Sequence, residues 1–247
     1  MPRKNDIADP LLVAGADLRD AVDRLRFAEP VAHVYNPLNY AWPMHEAFVR
    51  RFGAQPRRVL LLGMNPGPWG MVQTGIPFGE VAVVRDWLRL EAEFEGPANQ
   101  HPKRPIQGLA CTRSEVSGRR LWGYFAEKFE SPEAFFAEHF VLNYCPLAFL
   151  EETGRNRTPD KLPVAERGPL FAACDDHLRR VVELFQPEWL VGVGGFARQK
   201  LDKLFGGEDA RARIGVVLHP SPASPAANRG WSGAAERQLL EQGIWKS

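Results

Sequence analysis

A chain of 247 residues, 45% hydrophobic and 25% charged, is long enough for one large domain or two small ones with a substantial buried core. Its formal net charge of +1 excludes a strong global field, so a polyanionic partner must be met by local patches. Cys111, Cys145 and Cys174 are too few and too scattered for a disulfide framework, and they lack the spacing of a zinc or iron–sulfur site.

In chain order, a polar tail over residues 1–16 is expected to be flexible or loosely packed, with no signal-peptide core. Leu18, Val22 and Leu25 predict an amphipathic helix over Asp17 to Phe27. A short strand follows at Val31 to Tyr35, a helix at Trp42 to Phe52, and the first core strand at Val59 to Leu62. A helix is expected near Val81 to Leu90, then a loop over Gly96 to Ser117, rich in Gly, Pro and basic residues. Helices at Arg119 to Phe129 and Pro132 to His139 precede a strand at Phe140 to Asn143. Glu151 to Gly168 is a polar loop, and Leu170 to Phe185 a strong helix. A strand at Leu190 to Val193, a helix at Phe196 to Leu204, a strand at Ile214 to Leu218 and a helix at Ala234 to Glu241 complete the chain. Alternating strands and helices predict one α/β domain over 1–247: a three-layer α/β/α sandwich around a mainly parallel four-stranded sheet. No apolar run reaches the about 20 residues needed to cross a bilayer, so a soluble, intracellular protein in a reducing compartment is expected.

The loops after the strands carry the chemistry. Gly63-Met64-Asn65-Pro66-Gly67-Pro68-Trp69-Gly70-Met71 follows an apolar strand, and its prolines and glycines prevent the strand from continuing. It is therefore a constrained loop at the carboxyl edge of a parallel sheet, the edge where such sheets place ligands. Three more strands end in Asn143-Tyr144-Cys145-Pro146-Leu147, Gly192-Val193-Gly194-Gly195 and His219-Pro220-Ser221-Pro222-Ala223-Ser224-Pro225. Two Asn amides and a His can thus converge on one pocket. An Asn amide matches the paired donor and acceptor of a nucleobase edge, a loop Phe offers a stacking face, and a His can bond an oxygen on which charge develops. No carboxylate lies within Gly63 to Gly79, so the first loop itself supplies no general base, and neither a nucleophile elbow nor a P-loop is present. Cys174-Asp175-Asp176-His177 lies on a helix with its Asp and His residues expected toward solvent; no metal and no cofactor are expected. Lys103, Arg104, Arg113, Arg119, Arg120, Arg155, Arg157 and Arg229 are either a solvated surface or, in part, phosphate contacts.

GMNPGPWGMVQTGIPFGE (Gly63 to Glu80) and HPSPASPAANRGW (His219 to Trp231) resemble the two signature loops of the single-strand-selective monofunctional uracil-DNA glycosylases, family 3 of the uracil-DNA glycosylase superfamily. The resemblance continues through VRDWL (Val84 to Leu88), HPKRP (His101 to Pro105), SEVSG (Ser114 to Gly118), NYCPL (Asn143 to Leu147) and GRNRTP (Gly154 to Pro159). It implies excision of uracil from DNA by base flipping, with no lyase step, in base excision repair. Catalytic roles fall on Asn65, which orients water, and His219, which stabilises the departing base at O2. Base binding falls on Met64, Gly67, Met71, Phe78 and Asn143, with Gly67 and Met71 near C5, where a small residue tolerates 5-hydroxymethyluracil. Pro220, Ser221, Pro222, Ala223, Ser224, Pro225, Asn228 and Arg229 form the loop that enters DNA. The implied partner is DNA holding uracil or other oxidised or deaminated pyrimidines, with no membrane, and the chain acting as a monomer. Cytoplasm or nucleoid is the expected location in a bacterium, the nucleus in a eukaryote. Ala223-Ser224 replaces the Arg-Asn of many members, which predicts a weaker grip on duplex DNA. The alternatives are a superfamily member preferring hypoxanthine or xanthine, and a catalytically silent DNA-binding module.

Overall fold

The computed structural model describes residues 6–207 and 210–246. In chain order it forms α1 (Ala8–Asp23), β1 (Val31–Tyr35), α2 (Pro37–Tyr40), α3 (Trp42–Phe52), β2 (Val59–Gly63) and α4 (Met71–Thr74). Then come α5 (Val116–Lys128), α6 (Pro132–Phe136), β3 (His139–Asn143), β4 (Ala148–Glu151) and β5 (Asn156–Arg157). The last third holds α7 (Val164–Phe185), β6 (Trp189–Val193), α8 (Gly195–Phe205), β7 (Arg213–Val217), α9 (Pro225–Asn228) and α10 (Trp231–Glu241).

The central sheet is fully parallel, in the order β3-β2-β6-β7. Its inner strands read VLLLG and WLVGV and are buried at every position, as strands covered on both faces require. On one face Phe48, Phe52, Phe136 and Phe140 interlock, with the Phe52 and Phe136 rings stacked at 4.1 Å. The four-stranded parallel sheet and its helices match the expected fold class.

Several boundaries differ. Residues 1–5 of the expected tail lie outside the described residues, but α1 begins at Ala8 and buries Leu11, Leu12 and Ala14 against α7 and α3. The tail reading fails there because Ala8, Leu11, Leu12 and Leu18 already share one helical face. His139 opens β3 rather than closing a helix. β4 and β5 were not expected; they pair antiparallel with each other, and β4 with β1, in a second sheet ordered β1-β4-β5. Helix α7 starts six residues before Leu170, and Pro169 sits near its start, where the lost N–H removes a single backbone bond. The segment near Val81 winds as a π-helix over Val83–Leu88 and ends on Arg89 at φ 51°.

Candidate active site

Parallel pairing brings the strand ends to one edge: Gly63 lies beside Asn143, Leu62 beside Gly192, and Val193 beside Val217. The first two chains stay joined beyond the sheet. Tyr144 N–H donates to the Gly63 carbonyl (3.0 Å) and Cys145 N–H to the Met64 carbonyl (2.9 Å). The role of Met64 seen here is this backbone link; its side chain is half-buried.

Asn65 leaves β2 with its amide turned by this arrangement. Its Nδ2 donates to the Leu147 carbonyl at 3.1 Å and more weakly to the Pro66 carbonyl at 3.4 Å. Both acceptors are carbonyls, so the nitrogen must face them, and Oδ1 is left as the open acceptor. An amide cannot take a proton from water at neutral pH, but that oxygen can hold and aim one.

Asn143 ends β3 and is buried. Its Nδ2 contacts the Met71 Sδ at 3.3 Å, while its Oδ1 is sealed from solvent with no hydrogen-bond partner among the described residues. A buried carbonyl oxygen without a donor costs about 1–3 kcal/mol, and a hydrogen-bond donor brought to this corner would offset that cost. Phe78 stands next to it. A Cβ on Gly63 would fall on Asn143 Oδ1 and 2.5 Å from Phe78 Cε2, so glycine at the end of β2 is what lets amide and ring share this corner. Phe78 holds φ at 54°, a conformation costly for a bulky residue, in a turn where Glu80 N–H donates back to its own carbonyl (2.7 Å). The neighbouring helix admits that carbonyl through Gly118, where a Cβ would also lie 3.0 Å from Glu80 Cβ.

His219 follows β7, its ring centroid 6.2 Å from that of Phe78. Ser221 N–H donates to its Nδ1 at 3.1 Å. Nδ1 is thus an acceptor, and the neutral ring carries its proton on Nε2. Burial lowers the pKa of the imidazole below the ordinary 6.5, which favours that neutral form at physiological pH. The side chain is a neutral N–H donor of fixed tautomer.

The rest of the last loop is held from within. Ser221 Oγ accepts from Ala223 N–H (3.1 Å) and Ser224 Oγ from Ala227 N–H (3.3 Å). Arg120 donates to the Pro220 carbonyl (3.1 Å) and to Asn228 Oδ1 (2.9 Å), while Asn228 Nδ2 donates to the Pro222 carbonyl (2.9 Å). Asn228 and Arg120 therefore brace the loop, and Pro222, Ala223, Pro225 and Arg229 form its exposed surface. Of the other basic residues, Arg157 pairs with Glu151 at 3.0 Å, whereas Arg104 and Arg113 lie over the Trp69 ring at 5.2 and 4.6 Å.

Two residues of this corner were not read as functional from sequence: Gly63, described above, and Glu115. Glu115 precedes α5, and Cβ atoms built on Gly67 and Gly70 would lie 2.7 and 2.6 Å from its carboxyl carbon. The first loop has no carboxylate of its own, yet one is packed against its glycines. Burial, with the Glu80 carboxylate as a second cause, pushes the Glu115 carboxyl up to about 7. The SEVSG motif contained the residue, but only the fold shows its neighbour.

On the helix bearing Cys174, Asp175, Asp176 and His177, Asp176 is exposed as expected, whereas Asp175 and His177 are half-buried. Asp175 accepts from Tyr144 Oη at 2.5 Å and lies 3.7 Å from Lys200 Nζ, and His177 Nδ1 is sealed. Among the described residues no group of three His, Cys, Asp or Glu is placed to hold a metal, and no helix is long and apolar enough to cross a membrane. A further cavity, lined by Val182, Gln186, Pro187, Phe205 and Ala212, opens at the amino edge of the sheet, opposite these loops.

Residues 51–242 match the family model described as the uracil DNA glycosylase superfamily. The chain is 46% identical over 243 residues to the single-strand selective monofunctional uracil-DNA glycosylase of Rattus norvegicus, covering 98% of this chain and 87% of that protein. It is likewise 46% identical to the Bos taurus protein of that name, over 98% and 89% of the two chains, and 45% identical to that of Mus musculus, over 99% and 88%. The crystal structure of wild-type SMUG2 from Pedobacter heparinus superposes with a TM-score of 0.64 at 17% identity, over 94% of this chain and 97% of that one, which supports the fold.

Proposed function

We propose that this chain, which belongs to the uracil DNA glycosylase superfamily and within it to the single-strand selective monofunctional uracil-DNA glycosylases, hydrolyses the N-glycosidic bond of uracil in DNA and leaves an abasic site for base excision repair. The observation that carries the reading is the buried, unpartnered Asn143 Oδ1 beside an Nδ2 turned toward Met71 Sδ. Uracil offers the complement, an N3–H donor for Oδ1 and an O4 acceptor for Nδ2. Cytosine presents the reverse pattern, and turning the amide to suit it would set an oxygen against the Met71 sulfur.

The remaining groups then have tasks set by ring connectivity. With N3 and O4 on Asn143 and the ring face on Phe78, O2 is the carbonyl left over. Charge leaving through N1 as the glycosidic bond breaks collects on O2, and the His219 Nε2–H is the donor suited to it. Asn65 Oδ1 aims the water at the sugar carbon. Since neither residue is a strong base, leaving-group stabilisation supplies most of the acceleration. Extruding the base costs a few kcal/mol, least in single strands. These steps call on no cofactor.

Finer points belong to the same proposal. The enzyme also accepts 5-hydroxymethyluracil and works on both single and double strands, with duplex activity reduced because exposed Ala223 offers no long side chain to the stack. It acts as a monomer, and it works where genomic DNA is held, in nucleoid or nucleus. The test is excision from defined oligonucleotides carrying uracil, 5-hydroxymethyluracil, hypoxanthine or xanthine, single- and double-stranded. Free uracil and a site that breaks only after alkali are expected. Cleavage confined to the purine lesions, or of no substrate at all, refutes the reading.

A further inference from the structure

We propose that Arg104 and Arg113, held against the ring of Trp69, form a phosphate clamp for the DNA strand that carries the target base, with Lys103 and Arg155 extending it. The inference rests on the uracil-DNA reading above and goes beyond it by giving the polyanion a local site on a chain whose net charge is only +1.

The first loop sets the position. Trp69 stands four residues after Asn65, at most about 14 Å of chain, so whatever the ring supports lies within a few nucleotides of the sugar under attack. The guanidinium carbons of Arg113 and Arg104 lie 4.6 and 5.2 Å from the ring centroid. Buried Gln73 fixes this arrangement. Its Nε2 donates to the Pro68 and Pro105 carbonyls, both at 3.0 Å, and its Oε1 accepts from Gln107 N–H at 2.8 Å. One side chain thus ties the residue before Trp69 to the residue after Arg104. A Cβ on Gly154 would lie 3.2 Å from Lys103 Cβ and 3.5 Å from Arg104 Cζ, so the turn leading to Arg155 packs on the same pair.

The charges there are unspent. Among the described residues Lys103, Arg104, Arg113 and Arg155 have no carboxylate partner, while nearby Arg157 is neutralised by Glu151 at 3.0 Å. Arg104 gives one donor to the Lys103 carbonyl (2.8 Å), and its Nε–H has no acceptor. Arg113 is exposed. An arginine held by an aromatic face rather than by a carboxylate keeps its fork of donors open in a set orientation. That orientation separates these residues from a solvated surface, because the ordering cost is met before a ligand arrives. A phosphodiester supplies the oxygens that the fork matches. Such a contact reads no base and needs only one strand, so it serves single- and double-stranded DNA alike.

The test measures binding and excision on a single-stranded oligonucleotide holding one uracil, across a series of salt concentrations. In Arg113→Gln, and more so with Arg104→Gln added, the half-saturating DNA concentration should rise about tenfold, with little of the loss in the saturated rate. The salt slope of log affinity should shrink by about 0.7 for each phosphate released. Arg113→Lys, which keeps the charge, should hold the parent slope. Replacing single linkages near the uracil by uncharged methylphosphonates should weaken binding by the parent enzyme at one or two positions, and Arg113→Gln should be insensitive at those positions. An unchanged half-saturating concentration and slope in Arg113→Gln overturns the proposal. A loss confined to the saturated rate at constant slope, the mark of a merely structural role, overturns it too. Either result leaves the uracil reading standing; no excision by the parent enzyme fails that reading itself.

Discussion

Adding one methyl group at Gly63 tests the geometry of the base-reading corner directly. Gly63→Ala places a carbon on Asn143 Oδ1 and 2.5 Å from Phe78 Cε2, where ordinary contact begins at 3.4 Å. The ring must therefore withdraw by roughly 0.9 Å and the amide by slightly more, enough to break the paired hydrogen bonds to a base, and a displacement near 1 Å costs about 100-fold in rate. The fold pays less. An extra methyl in a packed interior costs about 1–3 kcal/mol, which for a chain of this size lowers Tm by roughly 2–12 °C. Single-turnover excision from a labelled uracil oligonucleotide, read after alkali, gives the first quantity, and thermal unfolding the second. A folded Gly63→Ala enzyme within about threefold of the parent rate would refute the assignment of Asn143 and Phe78 to the base.

Four further outcomes are expected. Asn65→Ala should lose about 100- to 1000-fold in turnover while oligonucleotide affinity, measured by fluorescence anisotropy, stays within a few-fold, since only the aimed water is lost. His219→Ala should lose a similar factor; in the parent enzyme the rate should hold through neutrality and fall only below the ordinary His value of 6.5, because burial lowers this pKa and protonation at Nδ1 would face the Ser221 N–H. Ala223→Arg should raise the ratio of double- to single-strand excision by about threefold or more, read on matched oligonucleotides; an unchanged ratio would remove the wedge argument. His139 donates from Nδ1 to the Phe135 carbonyl and accepts from Trp245 Nε1–H, so burial lowers its pKa from 6.5 to about 4. Its depressed value adds stability that is present above pH 6.5 and lost as pH falls through about 4, worth up to about 3 kcal/mol, and Tm measured across that window in parent and His139→Gln proteins checks it.

The roles expected of Asn65, Phe78, Asn143 and His219 came from the resemblance of their motifs, since Phe78 alone reads as core and His219 alone as structural; the strand pattern itself foretold only that their segments meet at one edge of a parallel sheet. The apolar runs Val59 to Leu62 and Leu190 to Val193 announced that sheet unaided. What stayed hidden was contact between segments distant in sequence. Glu115 acquires meaning only where α5 presses on Gly67 and Gly70, and no spacing rule links residues so far apart. The second sheet was missed for a related reason. β4 is four residues long and β5 two, too short for alternation to show, and the pairing of β4 with β1 crosses more than a hundred residues. The roles of Arg120 and Asn228 as braces were likewise invisible, since a basic or amide residue in a loop reads equally as a DNA contact.

Tyr35 gives the second sheet a consequence for the chemistry. It pairs in register with Ala148, the residue after Leu147, whose carbonyl holds the Asn65 amide. Its hydroxyl donates to the Arg104 carbonyl (2.9 Å) and accepts from His101 N–H (2.7 Å), fixing the loop that lays Arg104 over Trp69. The superfamily model matches from residue 51, so Tyr35 lies before that stretch, while the relatives named above align over 98% of the chain or more. A tyrosine far from the reacting loops is thus tied, through the pairing of β1 with β4, to the carbonyl that orients the Asn65 amide.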